Sequence, residues 1–311
     1  MTDILTLTLN PALDVLTSID KVEGTHKMRC AAAIEHPGGG GVNVARVLHR
    51  LGASCVAAYL AGGVTGQRHH QLMRQDNVRC HLLPIAQETR ESFSVHENSS
   101  GQDFRFVLPG PTVTSQELED CFDYVATHLP QQFLVISGGM APGVPLDFYA
   151  RLTRLAQQHG LPVVLDANGP ALHAALQEGV FLFKPSVREL CELSGRDLPD
   201  ATARIAACRE LITQKKARIV VLSLGEAGAM LVSEDQNWRA DPLNVEVQTT
   251  IGAGDSFVGG MVWALGRGHD LLHAFQYGVA ASAAALLEKG TPLCQASDVH
   301  RLLPNVVVHA L

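Results

Sequence analysis

The 311-residue chain lacks the features that mark several classes of protein. It has no run of the roughly 18 apolar residues that a membrane span requires. Its first residues, MTDILTLTLN, do not show the basic and then apolar segments of a secretory signal. Its seven cysteines form no CxxC pair, which argues against a disulfide framework or a thiolate zinc site. The sequence therefore predicts a soluble protein of a reducing cytoplasm with no membrane partner.

Net positive charge is also missing. The 24 Lys and Arg residues against 31 Asp and Glu residues give a net charge of −7 with neutral histidine. This balance argues against nucleic-acid binding, which needs a basic surface. It does not argue against binding of an anionic small molecule, because a few basic residues in a pocket can outweigh the net negative charge of the chain. Hydrophobic residues make up 46% of the chain, which excludes a disordered chain and is enough for a large core.

The apolar pattern alternates between short strand-like runs and helix-like segments. Residues 4–9 are strand-like, and 42–51 carry apolar residues on one helical face. The same alternation recurs at 55–60 and 66–75, at 133–137 and 146–159, and at 162–166 and 171–177. It predicts an α/β fold with a mostly parallel sheet that helices cover on both faces.

Two segments interrupt this alternation. Residues 14–34 and 92–107, within about 12–36 and 90–108, are extended and contain no clear helix. We interpret them as strands of a second, smaller antiparallel sheet that is inserted into a single domain spanning residues 1–311. This sheet is either a lid over a cleft or a decorated edge of the main sheet.

The motif TIGAGDSF at 250–257 directly precedes an apolar segment. Its two glycines permit a tight turn close to a ligand, and the start of a helix offers free N–H groups to a phosphate. Asp255 is either a helix cap or a general base beside an anion hole. Capping does not explain the two glycines.

A second glycine motif, PGGGGVNVA, occupies residues 37–45. Four consecutive glycines leave room for a ligand against bare backbone, and Asn43 supplies a donor and an acceptor. A flexible hinge is the alternative. The spacing is not GxGxxG, and the absence of any Gly-Lys dipeptide excludes a Walker A loop. The histidines, including His36, His69 and His70, lack metal-ligand spacing and are interpreted as ordinary surface or core residues.

Together, GGGGVNVAR and TIGAGDSF resemble the two signatures of the PfkB/ribokinase family of sugar kinases, and the resemblance extends over essentially the whole chain. Within the family, five segments are similar to the bacterial 6-phosphofructokinases: TLTLNPALD, KMRC, PGGGG, FRFVLPGP and GTPLC. The resemblance implies a ribokinase-like three-layer α/β/α sandwich with a small β-sheet lid. It also implies ATP-dependent phosphorylation of fructose 6-phosphate to fructose 1,6-bisphosphate. Alternatives are fructose 1-phosphate or tagatose 6-phosphate as acceptor, and a non-catalytic protein that binds a nucleotide or a sugar phosphate.

The resemblance also implies roles for individual residues. Asp255 would deprotonate the sugar's primary hydroxyl, and the amides of Gly252, Ala253 and Gly254 would form the anion hole for the transferred phosphoryl group. The sugar would be held by Asp14 and Asn43, with backbone access at Gly38 and Gly39. Its phosphate would be held by Lys27, Arg29 and Arg90, and Arg29 is the candidate to reach the neighbouring subunit's site in a homodimer joined through the lid. Without the resemblance, Asp14 is equally a turn residue and each cation an ordinary surface charge.

For ATP and Mg²⁺ the resemblance points to the segment KPSVRE, where Ser186 replaces the family's Asn. The implied nucleotide-binding residues are Lys184, Ser186, Ser223, Gly225 and Gly228. Glu189 and Asp166 would order Mg²⁺ through water, although Glu189 is also explained as an ordinary residue of a first helical turn. Carbonyls near Thr249 and Ile251 are candidates for K⁺. Gly139 replaces a serine of the family, so a hydroxyl expected at the sugar is missing.

Overall fold

A computed structural model describes residues 2–25, 27–287 and 293–311. Part of the GTPLC segment, residues 290–292, therefore lies outside the described residues. The strands are β1 (Ile4–Thr8), β2 (Ala12–Ile19), β3 (Ile34–Gly38), β4 (Cys55–Ala61), β5 (Cys80–Pro84), β6 (Arg90–Glu97), β7 (Asp103–Val107), β8 (Phe133–Ser137), β9 (Val163–Asp166), β10 (Val180–Phe183), β11 (Ala217–Ser223), β12 (Ala229–Ser233), β13 (Asn237–Ala240) and β14 (Val308–Ala310). The helices are α1 (Gly40–Arg50), α2 (Gly63–Gln75), α3 (Ser115–Thr127), α4 (Phe148–Gln158), α5 (Pro170–Glu178), α6 (Val187–Ser194), α7 (Ala201–Thr213), α8 (Ala253–Gly266), α9 (Leu271–Ala285) and α10 (Ala296–Leu302).

The large sheet has ten strands in the order β14-β13-β12-β11-β10-β9-β8-β1-β4-β5. In the stretch β11-β10-β9-β8-β1-β4-β5 of this order, each strand pairs in parallel with the next. At the other edge β12, β13 and β14 are antiparallel. The predicted, mostly parallel sheet is therefore confirmed, and the carboxyl ends of β1, β8, β9, β10 and β11 meet at one edge of it.

Helices cover both faces of this sheet. Along each strand successive side chains point to opposite faces, so Ile4 and Val135 pack with α1, α8 and α9, while Leu5 and Leu134 pack with α3, α4 and α5. Each face buries its own hydrophobic cluster. The three-layer α/β/α architecture that the resemblance implied is confirmed.

The small sheet has the strand order β3-β2-β6-β7. Its outer pairs, β2 with β3 and β6 with β7, are antiparallel, but the central strands β2 and β6 pair in parallel. The prediction of an antiparallel sheet is wrong for this central pair. Both strands follow the carboxyl ends of parallel strands, β2 after β1 and β6 after β5, so both leave the body in the same direction.

The helices within residues 2–25, 27–287 and 293–311 include none with the length and apolar character needed to cross a membrane.

Candidate active site

A cavity of about 250 Å³ lies between the small sheet and the carboxyl edge of the large sheet. Open α/β sheets bind their ligands at this edge. The cavity is lined from the small sheet by Ala12, Asp14, Arg90, Ser92, Arg105 and Val107, from the start of α1 by Gly39, Gly40 and Asn43, from the loops after β8 and β9 by Ser137, Gly138, Asp166 and Asn168, and from the start of α8 by Ile251, Gly252 and Asp255.

The four-glycine motif brings the start of α1 against the end of β1. Gly39 has a φ of +124°, a conformation that residues with a side chain rarely adopt. A Cβ at Gly41 would lie 2.7 Å from the carbonyl oxygen of Leu7. Side chains here would push α1 away from the strand. The close approach places Asn43, in the first turn of α1, at the cavity.

Asn43 meets the second glycine motif in this cavity. Its Nδ2 donates a hydrogen bond of 2.8 Å to Oδ2 of Asp255. The residue at the N-cap of α8 is Gly252, in the left-handed conformation with φ +75°. Asp255 lies in the first turn of α8 and its carboxylate faces Asn43, so the structure does not support the interpretation of Asp255 as the helix cap. The first amides of a helix have no partner within it, and here they lie beside this carboxylate.

The surroundings of Asp255 disfavour its ionised form. Burial raises the pKa of the carboxyl to about 7, and the nearby carboxylate of Asp166 adds to the effect. The hydrogen bond from Asn43 and the positive charge of Lys184 act in the opposite direction. Because the resulting pKa is close to neutral, the carboxylate can accept a proton under physiological conditions.

A buried ion pair lies next to Asp255. Nζ of Lys184, which follows β10, is 3.1 Å from Oδ1 of Asp166 at the end of the neighbouring strand β9. Burial opposes a charge on Lys184, but the carboxylates of Asp166, Asp255 and Glu189 outweigh it and raise the pKa of the lysine. A Cβ at Gly254 would lie 3.5 Å from the ammonium nitrogen. The start of α8 therefore has a fixed positive charge beside it.

Ser186 and Glu189 form a capping box at the start of α6. The amide of Ser186 donates to Oε2 of Glu189 over 2.7 Å, and the amide of Glu189 donates to Oγ of Ser186 over 3.3 Å. Serine is a good N-cap, so the replacement of the family's Asn preserves the helix start. The capping box gives Glu189 a structural role in the first turn of α6, which was the alternative to a role in magnesium binding. It uses only Oε2 of the carboxylate, so Oε1 is not part of the capping box.

The remaining candidate nucleotide residues lie beside this helix start. The amide of Ser223 donates to the carbonyl of Pro185 over 3.0 Å, which joins the end of β11 to the KPS segment. Gly225 and Gly228 follow in the loop between β11 and β12, with φ values of +62° and +93°. A side chain at Gly228 would overlap the carbonyl of Ala240. The five predicted nucleotide residues thus occupy one stretch of the sheet edge, with Lys184 nearest to Asp255.

The small sheet contributes one acidic and two basic side chains to the cavity. Burial raises the pKa of Asp14, while the charges of Arg105 and Arg90 lower it. Nη2 of Arg90 donates to the carbonyl of Asn10 over 3.1 Å. The structure thus brings Asp14 and Arg90 to the cavity as predicted, whereas Lys27 and Arg29 are exposed on the segment between β2 and β3 and do not line the cavity of their own chain.

Sequence analysis missed four residues with polar side chains that line the cavity: Ser92, Arg105, Ser137 and Asn168. Arg105 lies between Phe104 and Phe106 on β7, and a polar residue between two aromatic ones in a strand faces the opposite side. That alternation was the available signal. Oγ of Ser137 is buried and has no hydrogen-bond partner among the described residues, so it can bind a ligand.

The carboxylates at the cavity fit a hydrated magnesium ion. In the part of the chain that the structure describes, no three or more His, Cys, Asp or Glu side chains are grouped so as to hold a metal ion. Asp166 lies close enough to both Asp255 and Glu189 for their charges to interact. Oxygen donors of this kind suit Mg²⁺, which keeps several water ligands and is usually shared with substrate phosphates.

Curated proteins of known activity are similar to this chain over nearly its full length. It is 42% identical over 299 residues to the ATP-dependent 6-phosphofructokinase isozyme 2 of Mycobacterium tuberculosis, and the aligned region covers 96% of this chain and 88% of that protein. It is 38% identical over 303 residues to the enzyme of the same name from Escherichia coli K12, with 97% and 98% covered. The 1-phosphofructokinase of Vibrio cholerae is 30% identical over 311 residues, with 99% and 97% covered.

Solved structures agree with this similarity. Phosphofructokinase-2 from Escherichia coli in complex with fructose-6-phosphate superposes with a TM-score of 0.92 at 36% identity, covering 98% of this chain and 99% of that chain. The same enzyme in complex with potassium gives a TM-score of 0.94 at 38% identity, with 98% and 99% covered. Its tetrameric inhibited form gives 0.92 at 37%, with 98% and 99% covered. A family model described as pfkB family carbohydrate kinase matches residues 8–298. The chain belongs to the pfkB family of carbohydrate kinases.

Proposed function

We propose that the protein transfers the γ-phosphoryl group of ATP to the primary hydroxyl of fructose 6-phosphate and forms fructose 1,6-bisphosphate and ADP. The observation that carries this proposal is the carboxylate of Asp255, which accepts a hydrogen bond from Asn43 where the two glycine motifs meet. Burial, which raises the pKa of this carboxyl to about 7, suits the role of a base. The names of the relatives from Mycobacterium tuberculosis and Escherichia coli support the choice of acceptor.

In this mechanism Asp255 acts as the base. The hydroxyl oxygen of the sugar forms a bond to the γ-phosphorus, the bond from that phosphorus to the β,γ-bridging oxygen breaks, and ADP leaves with the electron pair. The hydroxyl proton moves to the carboxylate of Asp255. The amides of Gly252, Ala253 and Gly254 and the ammonium group of Lys184 neutralise the charge of the migrating group.

The acceptor side of the site is built for a phosphorylated sugar. Asp14 and Asn43 bind sugar hydroxyls, with backbone access at Gly38 and Gly39. Arg90 and Arg105 supply positive charge from the small sheet, which acts as a lid. Asp14 is the acidic side chain that faces these two guanidinium groups, and a free sugar would bring no phosphate to them. The acceptor that best fits the two arginines is therefore a ketohexose phosphate.

The nucleotide lies along the sheet edge at Lys184, Ser186, Ser223, Gly225 and Gly228. Asp166 and Glu189 would hold Mg²⁺ through water, and the ion, when bound, would neutralise charge at the phosphates. For K⁺ we propose the carbonyls near Thr249 and Ile251, just before the anion hole; the solved complex of the Escherichia coli enzyme with potassium supports such a site.

We also propose a homodimer that forms through the small sheet. The face of this sheet opposite to the cavity carries Val15, Phe93 and Phe106 side by side, with Val95 and Phe104 in the next row. Phe106 is 55% exposed in the single chain. An apolar sheet face of this kind is typically covered by a partner. A second copy would bring Lys27 and Arg29 of its exposed segment within reach of a cavity. The cytoplasmic location stays a prediction.

An assay of ADP release with a panel of acceptors tests the choice of substrate. The panel contains fructose 6-phosphate, fructose 1-phosphate, tagatose 6-phosphate and unphosphorylated fructose. We expect the highest kcat/KM for fructose 6-phosphate and the lowest for fructose. A preference for fructose would contradict the role of the two arginines, and a preference for another ketohexose phosphate would change the acceptor but not the chemistry.

A further inference from the structure

Two buried side chains hold the segment that connects the small sheet to α1. The carbonyl of Pro37 accepts a hydrogen bond of 3.3 Å from Nη1 of Arg46, and the carbonyl of Gly38 accepts one of 3.0 Å from Nε2 of His69. Arg46 is also paired with Asp76, which follows α2, over 2.7 Å. Two consecutive carbonyls, where β3 ends, are thus anchored by α1 and α2.

His69 is bound in a way that assigns its proton. The side chain lies in the interior with 0% of its surface exposed. Its ring meets that of Tyr59 edge-on, with an angle of 61° between the planes and 4.8 Å between the ring centres. A carbonyl oxygen can only accept, so Nε2 carries the proton. Nδ1 has no hydrogen-bond partner among the described residues. Leaving a buried nitrogen unpaired has an energetic cost, which an apolar side chain of the same volume would avoid. Unlike such an apolar side chain, histidine can donate the hydrogen bond to the carbonyl of Gly38.

The anchored carbonyl belongs to a glycine that shapes the acceptor side of the cavity. Gly38 is paired with Ala12 in the small sheet, and a side chain on it would overlap the carboxylate of Asp14. Gly39 follows in the cavity wall, and its carbonyl accepts the first hydrogen bond of α1, of 2.8 Å, from the amide of Asn43. A shift of Gly38 would therefore move both predicted sugar ligands, Asp14 and Asn43.

We propose that His69 is a positioning residue for the acceptor sugar: its Nε2–H group fixes the carbonyl of Gly38 and thereby the geometry of Asp14 and Asn43. His69 does not touch the substrate. The inference rests on the proposed kinase function and concerns only its acceptor side, because the nucleotide residues lie on other strands.

Steady-state kinetics of the full-length protein with two variants test this role. H69F keeps an aromatic ring but has no donor, and H69Q keeps a donor. We expect H69F to raise the KM for fructose 6-phosphate about tenfold, as the loss of one buried hydrogen bond predicts, with the KM for ATP unchanged. H69Q is expected to recover most of the loss. T153V is the matched control: it removes a fully buried hydroxyl that donates to the carbonyl of Tyr149 on α4, in the other helix layer, and should leave both KM values unchanged.

A second measurement needs no variant. In the wild-type protein, the ¹⁵N shifts of the His69 imidazole are expected to show a protonated Nε2 and to change on saturation with fructose 6-phosphate but not with ATP alone. A proton on Nδ1 would overturn the proposal. So would an acceptor KM of H69F within twofold of wild type, or an equal rise in the KM for ATP. Failure of the wild-type protein to phosphorylate any acceptor would contradict the proposed function instead.

Discussion

Asn43 and Asp255 are 212 positions apart in the chain and are joined by a hydrogen bond of 2.8 Å. Each belongs to one of the two glycine motifs, and each lies in the first turn of a helix. The bond therefore shows that the two motifs form one site. It also stabilises the ionised form of Asp255 against burial and the charge of Asp166, which raise its pKa.

The pH dependence of turnover follows from that balance. We expect kcat/KM to rise with pH through about 7, because Asp255 must lose its proton to act as a base. The bond from Asn43 lowers the pKa, so N43A should move this rise to higher pH as well as reduce activity. Profiles of kcat/KM between pH 5 and 9 measure both effects. A rise at the same pH in wild type and N43A would contradict the assigned influence of Asn43.

Arg105 should contribute to binding of the acceptor phosphate. A charge-assisted hydrogen bond typically contributes about 1.5–3 kcal/mol, so R105Q should raise the KM for fructose 6-phosphate roughly ten- to hundredfold. The KM for ATP should not change. R218Q, at an exposed position on β11, is the control and should behave like wild type. If R105Q keeps the wild-type acceptor KM, Arg105 does not bind the phosphate.

His69 should make the fold sensitive to acid. Burial lowers its pKa to about 4 from an ordinary 6.5, and the nearby charges of Arg46 and His70 act in the same direction. Between these values the unfolded chain binds a proton that the folded chain does not, so stability falls as pH falls from 6.5 to 4. The loss across this window is about 3 kcal/mol.

H69F should abolish the contribution of His69 to this loss of stability at acidic pH. Free energies of unfolding from denaturant titrations at pH 7 and pH 5 measure it, with H159Q, at an exposed position, as the control. An equal loss of stability in wild type and H69F between these pH values would show that His69 is not the responsible group.

The apolar face of the small sheet should hold two copies together. F106D places a charge in this face and should convert the dimer to a monomer in light scattering. It should also raise the KM for fructose 6-phosphate, because Lys27 and Arg29 of the partner copy would be lost. L146D, at a body residue that is 57% exposed, is the matched control and should stay dimeric. A wild-type protein that is monomeric at assay concentration would contradict the proposal.

Local signals in the sequence predicted the two glycine turns and the sheet that supports them. Gly39 and Gly252 adopt positive φ values, a conformation that the glycines of a motif indicate directly. The alternation of strand and helix segments predicted a mostly parallel sheet, because a helix between two strands brings the second strand back in the direction of the first, but it did not predict the strand order.

Contacts between segments that are distant in the chain could not be predicted from the sequence in the same way. The parallel pairing of β2 with β6 depends on the direction in which two separate strands leave the body, and the ion pair of Lys184 with Asp166 depends on strand order. The alternation of Phe104, Arg105 and Phe106 indicated that Arg105 faces the side opposite to the two aromatic rings, but not that this side lines a cavity. The burial of His69 depends on how α2 packs on the small sheet. The positions of Lys27 and Arg29 relative to a cavity depend on a second chain.

The central claim is that Asp255 takes the proton of the acceptor hydroxyl, and D255N tests it most directly because the side chain keeps its size and loses its basicity. Turnover of fructose 6-phosphate should fall by roughly two or more orders of magnitude, while ATP binding, measured by calorimetry, is retained. Turnover equal to wild type would contradict the account.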